Sequence, residues 1–130
     1  MKVLFLDPNE VERFRKGINN DPEFRLAAKF MTEDVLLEVG NSQCTVRIRD
    51  GLITEMNLAP TFMDPWSFAI KAPAESWEKF LRPVPPPHHT GLYGAMIRGI
   101  IQVVGDLGVA FAYFWAMTRM LDVMRDLQNS

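Results

Sequence analysis

The sequence predicts an α/β fold of the α+β type, with five strands and a long apolar helix near the C-terminus. Three observations carry this prediction. Between 66 and 81 the spacing of large apolar residues changes from every second position to every third or fourth position. The dipeptide Asp50-Gly51 joins two alternating segments, a pattern typical of a β-hairpin. From 107 to 127 the chain is rich in apolar residues at helical spacing.

The segment 66–81 contains one strand followed by one short helix. The strand predicted for 66–71 presents three large apolar residues on one face, namely Trp66, Phe68 and Ile70. Pro73 ends this strand. The helix predicted for 74–81 then carries its apolar residues at positions i, i+3 and i+4, namely Trp77, Phe80 and Leu81.

The segment 92–106 allows two interpretations after a short helix at 92–98. Arg98, Gln102 and Asp106 are four residues apart and would form a polar stripe on a helix. Four of the five residues at 100–104 are β-branched, however, and Gly99 and Gly105 flank them. We therefore predict a strand over 99–105. Both of its faces are apolar apart from Gln102, which predicts a strand covered on both sides.

The N-terminal half predicts two helices and three strands. Asp7 and Pro8 have the pattern of a helix start, with a helix continuing to about Ile18. A second start at 20–23 precedes a helical stripe made of Phe24, Ala27, Ala28 and Met31. Strands are predicted at 35–39, 44–49 and 52–58, followed by a loop at 59–65. Two large apolar residues in that loop must fold onto the core, which is the favoured interpretation, or border an opening: Phe62 and Met63.

These elements together resemble the sterol carrier protein 2 family. The resemblance rests on the helix ESWEKFL, the strand RGIIQVVGD with a short helix before it and a long one after it, and the upstream stretch DVLLEVGNSQCTVRIRDGLITEMN. It extends over roughly residues 25 to 125. It implies an SCP2-like, five-stranded, mainly antiparallel sheet with helices packed on one face, and a hydrophobic pocket between the sheet and the C-terminal helix.

We expect one domain over residues 1–130, which departs from the family at two places. The proline-rich loop 83–90 replaces a plainer connection, and the N-terminal extension 1–20 has no obvious counterpart. With 130 residues the chain is long enough to bury a core of its own.

Composition excludes several classes of function. A net charge of −2, with 14 basic and 16 acidic residues, gives no excess positive charge for nucleic acid. The single cysteine, Cys44, cannot form an internal disulfide and alternates inward with Val46 and Ile48, so we expect a buried thiol in a reducing compartment. The apolar run before Asp7 is too short for an export signal, which predicts a cytoplasmic location. The apolar run 107–117 is too short for a stable membrane span.

Catalytic and metal-binding patterns are missing from the sequence. His88 and His89 are adjacent and point to opposite sides in an extended backbone, with no further ligand at suitable spacing. No Gly-x-Ser-x-Gly motif is present, and Gly91, Gly94 and Gly99 do not have the spacing of a phosphate-binding loop. We therefore predict a protein without catalytic residues, metal or cofactor.

The apolar composition points to binding of a hydrophobic molecule. Eight Met and nine Phe residues supply adaptable apolar surface, although each Met taken alone is more typical of ordinary helix packing. Together with the resemblance, this predicts non-catalytic binding or transfer of a fatty acyl, sterol or terpenoid-like ligand. Eleven residues are candidates to line the site: Phe62, Met63, Trp66, Phe80, Tyr93, Met96, Ile97, Phe111, Phe114, Trp115 and Met117.

Two other functions stay open at the level of sequence. The uninterrupted apolar run 107–115 and the proline loop 83–87 could form a homodimer contact or attach the protein to an enzyme as a small accessory subunit. A helix that is apolar all round, as predicted for 108–117, must be enclosed by protein or must face something apolar that is not protein. A small enzyme acting on a lipid-like substrate is the weaker alternative, with Tyr93, Arg98 or His89 as its polar group. Tyr93, Arg98 and Gln102 are also the candidates for selecting the polar end of a ligand.

Overall fold

The computed structural model describes residues 2–130 as five strands packed with six α-helices. The strands are β1 Glu33–Val39, β2 Ser42–Arg49, β3 Leu52–Asn57, β4 Phe68–Ala72 and β5 Gln102–Gly105. The helices are α1 Val11–Asn19, α2 Pro22–Ala27, α3 Ala74–Phe80, α4 Leu92–Ile97, α5 Leu107–Ala112 and α6 Phe114–Gln128. A short 3₁₀ turn, Leu4–Leu6, precedes them.

The strands form one sheet in the order β3-β2-β1-β4-β5. The central pair β1 and β4 is parallel, and the other three pairs are antiparallel. The prediction of a five-stranded, mainly antiparallel sheet is therefore confirmed. The predicted hairpin at Asp50-Gly51 is also present, and both residues have the positive φ that a type I′ turn needs, 51° and 80°.

One face of the sheet carries the main core. Alternate residues of β1, β2 and β4 point into it, including Leu37, Cys44 and Ile70. The helices cover this face, and Trp77 of α3 is buried there with its indole N–H donating to Glu38 O at 2.9 Å. That hydrogen bond explains how a tryptophan can lie inside the core, because its only polar atom is paired.

The N-terminal segment belongs to this core. Phe5 and Phe14 are fully buried, and Phe5 packs edge-on against Trp77 at 5.7 Å between ring centroids. The predicted helix start at Asp7 is wrong by about one turn. Asp7 accepts from Asn9 N through its side chain and from Glu10 N through its carbonyl, so it holds a turn before α1.

Three other expectations about elements are corrected by the structure. The strand predicted for 99–105 begins only at Gln102, because Gly99 ends α4: its N–H donates to Met96 O, and Ile100 N–H donates to Ala95 O. This pairing, with φ of +74° at Gly99, is a Schellman cap. The expectation that this strand is covered on both faces is also wrong, since Val103 and Val104 are only partly buried and Gln102 and Gly105 are exposed.

The predicted strand at Trp66 is the second correction. The strand begins at Phe68, and the Trp66 side chain remains 39% exposed. Ser67, just before the strand, donates its N–H to Asp34 O and accepts from Asp106 N, which fixes the chain at the entry to the sheet. Trp66 consequently lies outside the core face that Phe68 and Ile70 share.

The single long C-terminal helix is the third correction. It is broken at Tyr113, whose backbone (φ −113°, ψ 20°) leaves helical geometry and separates α5 from α6. The Tyr113 hydroxyl donates to Phe30 O at 3.4 Å, so the break is held against the residues that follow α2. The apolar run is not enclosed either, because Phe111 and Trp115 are 53% and 71% exposed.

Candidate functional site

An apolar cleft of about 320 Å³ opens between the end of the proline-rich loop, α4 and the start of α6. We call it the aromatic cleft. Its lining comes from two parts of the chain, 88–94 and the first turns of α6, and consists of His88, Thr90, Gly91, Leu92, Tyr93, Gly94, Phe114, Trp115 and Thr118. The surface inside is predominantly apolar, so the cleft suits a hydrophobic molecule.

Helix α4 forms one wall of the cleft, because the helical spacing of its residues places one set in the core and another set on the cleft side. Leu92 and Ala95, three residues apart, are buried in the core, and this turns Tyr93 and Gly94 toward the cleft. A Cβ atom added at Gly91 or at Gly94 would have no neighbour within 4 Å. The volume of the cleft therefore exists partly because these two residues lack side chains.

Aromatic rings form the opposite wall. Tyr93 meets Phe114 edge to face at 6.4 Å between ring centroids, and Phe111 lies 6.1 Å from Phe114 on the α5 side. Trp115 stands at the rim. The Thr118 hydroxyl is occupied within its own helix, since it donates to Phe114 O at 3.0 Å. The interior thus offers ring faces and edges rather than charged groups.

The proline-rich loop is anchored to the C-terminal helix at both of its ends. Arg125 donates to Phe80 O at 2.6 Å before the loop and to Thr90 O at 3.4 Å after it. Asn129 adds a bond to Leu81 O at 2.7 Å. His89 is buried with its ring 5.2 Å from the ring of Phe80. The wall of the cleft that carries His88 and Thr90 is therefore tied to α6.

The eleven candidate residues fall into four groups in the structure. Tyr93, Phe114 and Trp115 line the aromatic cleft. Met96 and Ile97 lie further along α4, and Phe111 lies on α5. These three residues extend the apolar surface around the cleft. Phe80 and Met117 are almost fully buried in the core. Phe62, Met63 and Trp66 lie on the loop between β3 and β4, apart from the cleft.

The expectation that the loop residues fold onto the core is wrong. Phe62 is 97% exposed and Met63 is also exposed. Phe62 and Trp66 instead border a small cavity on the other face of the sheet.

Sequence reasoning missed several residues of the cleft, among them His88, Thr90 and Gly94. The signal that could have found them is Gly94, which lies within a short helix where glycine is unfavourable and three residues after Gly91. The three polar residues proposed for an enzyme are not gathered at one point. Tyr93 lines the cleft, His89 is buried behind it, and Arg98 follows α4 as an exposed residue.

Space beneath α6 is filled by its own side chains. Met117, Met120, Leu121 and Met124 are almost fully buried in the core cluster that includes the inner residues of the sheet. The aromatic cleft thus lies beside α6 rather than between α6 and the sheet.

Three further features bear on the chemistry of the protein. Burial raises the pKa of the Cys44 thiol to about 12, so a reactive thiolate is not formed near neutral pH. Across residues 2–130 no group of three His, Cys, Asp or Glu side chains is arranged to hold a metal ion. The helices in the same part of the chain are all too short or too polar to span a membrane.

Comparison with solved structures defines the class of fold. The chain is similar to a sterol carrier protein 2, with a TM-score of 0.75 and 16% identity, over 93% of this chain and 97% of the other. A conserved hypothetical protein from Thermus thermophilus gives a TM-score of 0.75 and 15% identity, over 97% of this chain and 91% of the other. The SCP2 domain of UbiJ, a ubiquinone synthesis protein, gives a TM-score of 0.56 and 14% identity, over 87% and 90%.

The chain therefore has the sterol carrier protein 2 fold, and the resemblance noted in the sequence is confirmed at this level. No family model matches the sequence, and no curated protein matches it either.

Proposed function

We propose that residues 1–130 form a single cytoplasmic domain that binds or transfers a hydrophobic small molecule without catalysis. The ligand class is a fatty acyl chain, a sterol or a terpenoid-like molecule, held at the aromatic cleft. The observation that carries this proposal is an apolar cleft whose volume is opened by Gly91 and Gly94 and walled by Tyr93 and Phe114. The buried thiol of Cys44 is compatible with a reducing compartment.

The exposed surface around the cleft supports a ligand longer than the cleft itself. Ile97 and Phe111 are exposed on α4 and α5, next to the cleft walls. An acyl chain that hides roughly 300 Å² of apolar surface would gain about 7 kcal/mol, from which ordering costs are subtracted. A dissociation constant of 1 μM corresponds to about 8 kcal/mol, so without a charged contact we expect a dissociation constant above about 10 μM once the ordering costs are subtracted.

The sterol carrier proteins among the similar structures support the same class of ligand. The name sterol carrier protein describes the carriage of a lipid by those proteins. The present chain shares their fold and has an apolar cleft. Selection for the polar end of a ligand would fall to Tyr93, His88 and Thr90, which are polar residues of the cleft lining.

Displacement of a fluorescent fatty acid tests the proposal. We expect the wild-type protein to bind the probe and Gly94→Leu to lose binding at least tenfold, because the new side chain fills the cleft. Gly94→Ala is the matched control, since it makes a similar change of helix propensity with only one carbon atom in the cleft. Both variants should fold, because a Cβ atom at this position meets no neighbour.

Circular dichroism and thermal melting accompany the titration, so that loss of fold is not mistaken for loss of binding. Equal affinity of the probe for Gly94→Leu and Gly94→Ala would remove the aromatic cleft as the site. Native mass spectrometry of the protein as purified adds a second test, and absence of any lipid together with no probe binding would contradict the proposal as a whole.

A second candidate function is a contact with another protein. The observation that favours it is the exposure of Leu107, Phe111 and Trp115 along α5 and the start of α6. The occupant could be a second copy of the chain or an enzyme that the protein serves as an accessory subunit, and one similar structure is that of a ubiquinone synthesis protein. Light scattering at micromolar concentration tests the homodimer, because a mass that stays at 14.9 kDa excludes it.

A further inference from the structure

The face of the sheet opposite the helices carries a cavity of its own. The loop from β3 to β4 crosses this face and leaves about 180 Å³ between itself and strands β1 and β2. We call it the outer pocket. The residues that matter to its chemistry are Leu36, Gln43, Thr45, Phe62, Asp64 and Trp66.

Thr45 is the residue that makes this cavity more than a packing gap. Its side chain alternates with the core residues Cys44 and Val46 and so points to the outer face. It is only 6% exposed, and among residues 2–130 no atom forms a hydrogen bond with its hydroxyl oxygen. A buried hydroxyl without a partner destabilises a fold, and valine would fill the same space without that penalty. The unpaired hydroxyl therefore points to a ligand atom.

Among the other polar groups of the outer pocket, the Asp64 carboxylate is the one that carries a charge. Thr61 donates its N–H to Asp64 Oδ2 at 2.7 Å, and its hydroxyl lies nearest that same oxygen, which leaves Oδ1 to a ligand. Gln43 donates one amide N–H to Glu38 Oε1 at 3.3 Å, so its carbonyl oxygen and its second amide N–H remain. A ligand that donates hydrogen bonds and carries positive charge fits this set of acceptors.

Aromatic rings at the mouth favour the same kind of ligand. Phe62 is almost fully exposed and Trp66 is partly exposed beside the cavity. The Trp66 ring is positioned by Gly105, where an added Cβ atom would lie 2.9 Å from Trp66 Cζ3. Cations are attracted to the faces of such rings. Arg47, a cation of β2 on the same face, forms ion pairs with Asp34 at 3.6 Å and Glu55 at 3.8 Å, while its Nε–H has no hydrogen-bond partner among residues 2–130.

We propose that the outer pocket binds a small primary ammonium compound with a compact apolar body. The ammonium N–H groups would donate to Thr45 Oγ1 and to the Asp64 carboxylate, and the apolar body would lie against Leu36 and the two rings. The size is suitable, because a cavity of about 150 Å³ is enough to admit benzene. This site lies on the other side of the sheet from the aromatic cleft and does not depend on the function proposed for it.

Nuclear magnetic resonance of the whole chain tests the proposal with three probes of one shape. These are 2-phenylethylamine, which is cationic, 2-phenylethanol, which is neutral, and phenylacetate, which is anionic. We expect the amine to shift the Thr45 methyl and Trp66 indole signals at millimolar concentration, the alcohol to bind several-fold more weakly, and the anion to give no shift.

Two variants examine the contacts. Thr45→Val keeps the shape and should weaken the amine about tenfold while raising the melting temperature of the ligand-free protein. Asp64→Asn keeps an oxygen for the Thr61 bonds and should remove the preference for the cation over the alcohol. Thr118→Val, in the aromatic cleft, is the control and should change neither result.

Three outcomes would overturn the proposal. Equal shifts from all three probes would mean that only the apolar body is recognised. Shifts confined to 88–94 and α6 would assign the amine to the aromatic cleft. No shift at Thr45 from any probe would mean that the outer pocket holds water alone.

Discussion

Gly51 lies where the β2–β3 turn touches the end of α2. Its N–H donates to Met31 O at 3.0 Å, and its φ is +80°. A Cβ atom there would stand 2.7 Å from Ala28 O, which is backbone and cannot swing away. This one position therefore combines a left-handed conformation with a close approach of two chain segments, and both favour glycine.

Gly51→Ala should lower the free energy of unfolding by about 2 kcal/mol, because it adds left-handed strain and a steric clash. Urea unfolding followed by circular dichroism measures the change. Gly91→Ala is the control and should cost no more than about 1 kcal/mol, since Gly91 is the N-cap of α4 and alanine is less favourable than glycine there. Gly91 is extended, with φ of −155°, and a Cβ atom there meets nothing. Equal effects of the two substitutions would contradict this account of Gly51.

At the level of single residues, the sequence was most informative where the cause is local. The turn at Asp50-Gly51 could be predicted because the backbone conformation of a two-residue turn depends on those two residues alone. Phe62 could not be placed, because size and hydrophobicity favour burial and only the path of the whole loop leaves it in solvent. The unpaired hydroxyl of Thr45 could likewise not be predicted, because whether it finds a hydrogen-bond partner depends on which loop covers the sheet.

At the level of elements, Asp21 joins α2 to α6. Its carboxylate caps α2 by accepting from Phe24 N at 2.8 Å. It also accepts two hydrogen bonds from Arg119, both at 2.8 Å. The Arg119 guanidinium, followed by the Phe24 N–H, holds the pKa of Asp21 below its ordinary 3.8. Because the folded pKa is lowered, this contribution to stability is present above about pH 4 and is lost as the pH falls through the folded pKa.

Asp21→Asn should cost about 1.5 kcal/mol of unfolding free energy at about pH 7, because the cap oxygen is kept and the charged pair is lost. The difference from wild type should be smaller at about pH 2, because lowering the pH toward the folded pKa of Asp21, which lies below 3.8, protonates the native carboxylate as well. Urea unfolding at both pH values measures it. Glu23→Gln is the control and should cost less than about 0.5 kcal/mol. Its carboxylate lies 3.5 Å from Arg119 but is 66% exposed. A difference for Asp21→Asn that does not vary with pH would contradict the charged pair as its cause.

The positions of helices and strands could be predicted where the apolar residues of a segment repeat at one spacing, either helical or alternating. The helix with Trp77 and Phe80 could be predicted because its apolar positions repeat at helical spacing and a proline precedes it. The start of β5 was misplaced because Gly99 serves as a helix cap, a role that depends on α4 ending just before it. The break at Tyr113 leaves no proline or glycine signal, since it is held by a contact with Phe30 far away in sequence.

At the level of the whole molecule, the fold was more predictable than the site. A search for large apolar residues finds the core as readily as it finds a pocket, and Phe80 and Met117 were candidates that lie in the core. The aromatic cleft is defined as much by missing side chains at Gly91 and Gly94 as by the rings around it. Such a space appears only when α4, α6 and the proline-rich loop are assembled.

Binding at the aromatic cleft should also be visible in the stability of the whole molecule. A ligand that binds only the folded protein stabilises it by about 1.4 kcal/mol at roughly ten times its dissociation constant. For a chain of this size that corresponds to a rise in Tm of about 5 °C. We expect this rise when oleate is added to wild type or to Gly94→Ala, and no rise for Gly94→Leu. The baseline of Gly94→Ala should itself be higher, because alanine is favoured over glycine in a helix by about 1 kcal/mol. Oleate must stay below its micelle concentration, and a rise of the same size in all three proteins would show that the fatty acid stabilises the exposed apolar surface in general rather than the cleft.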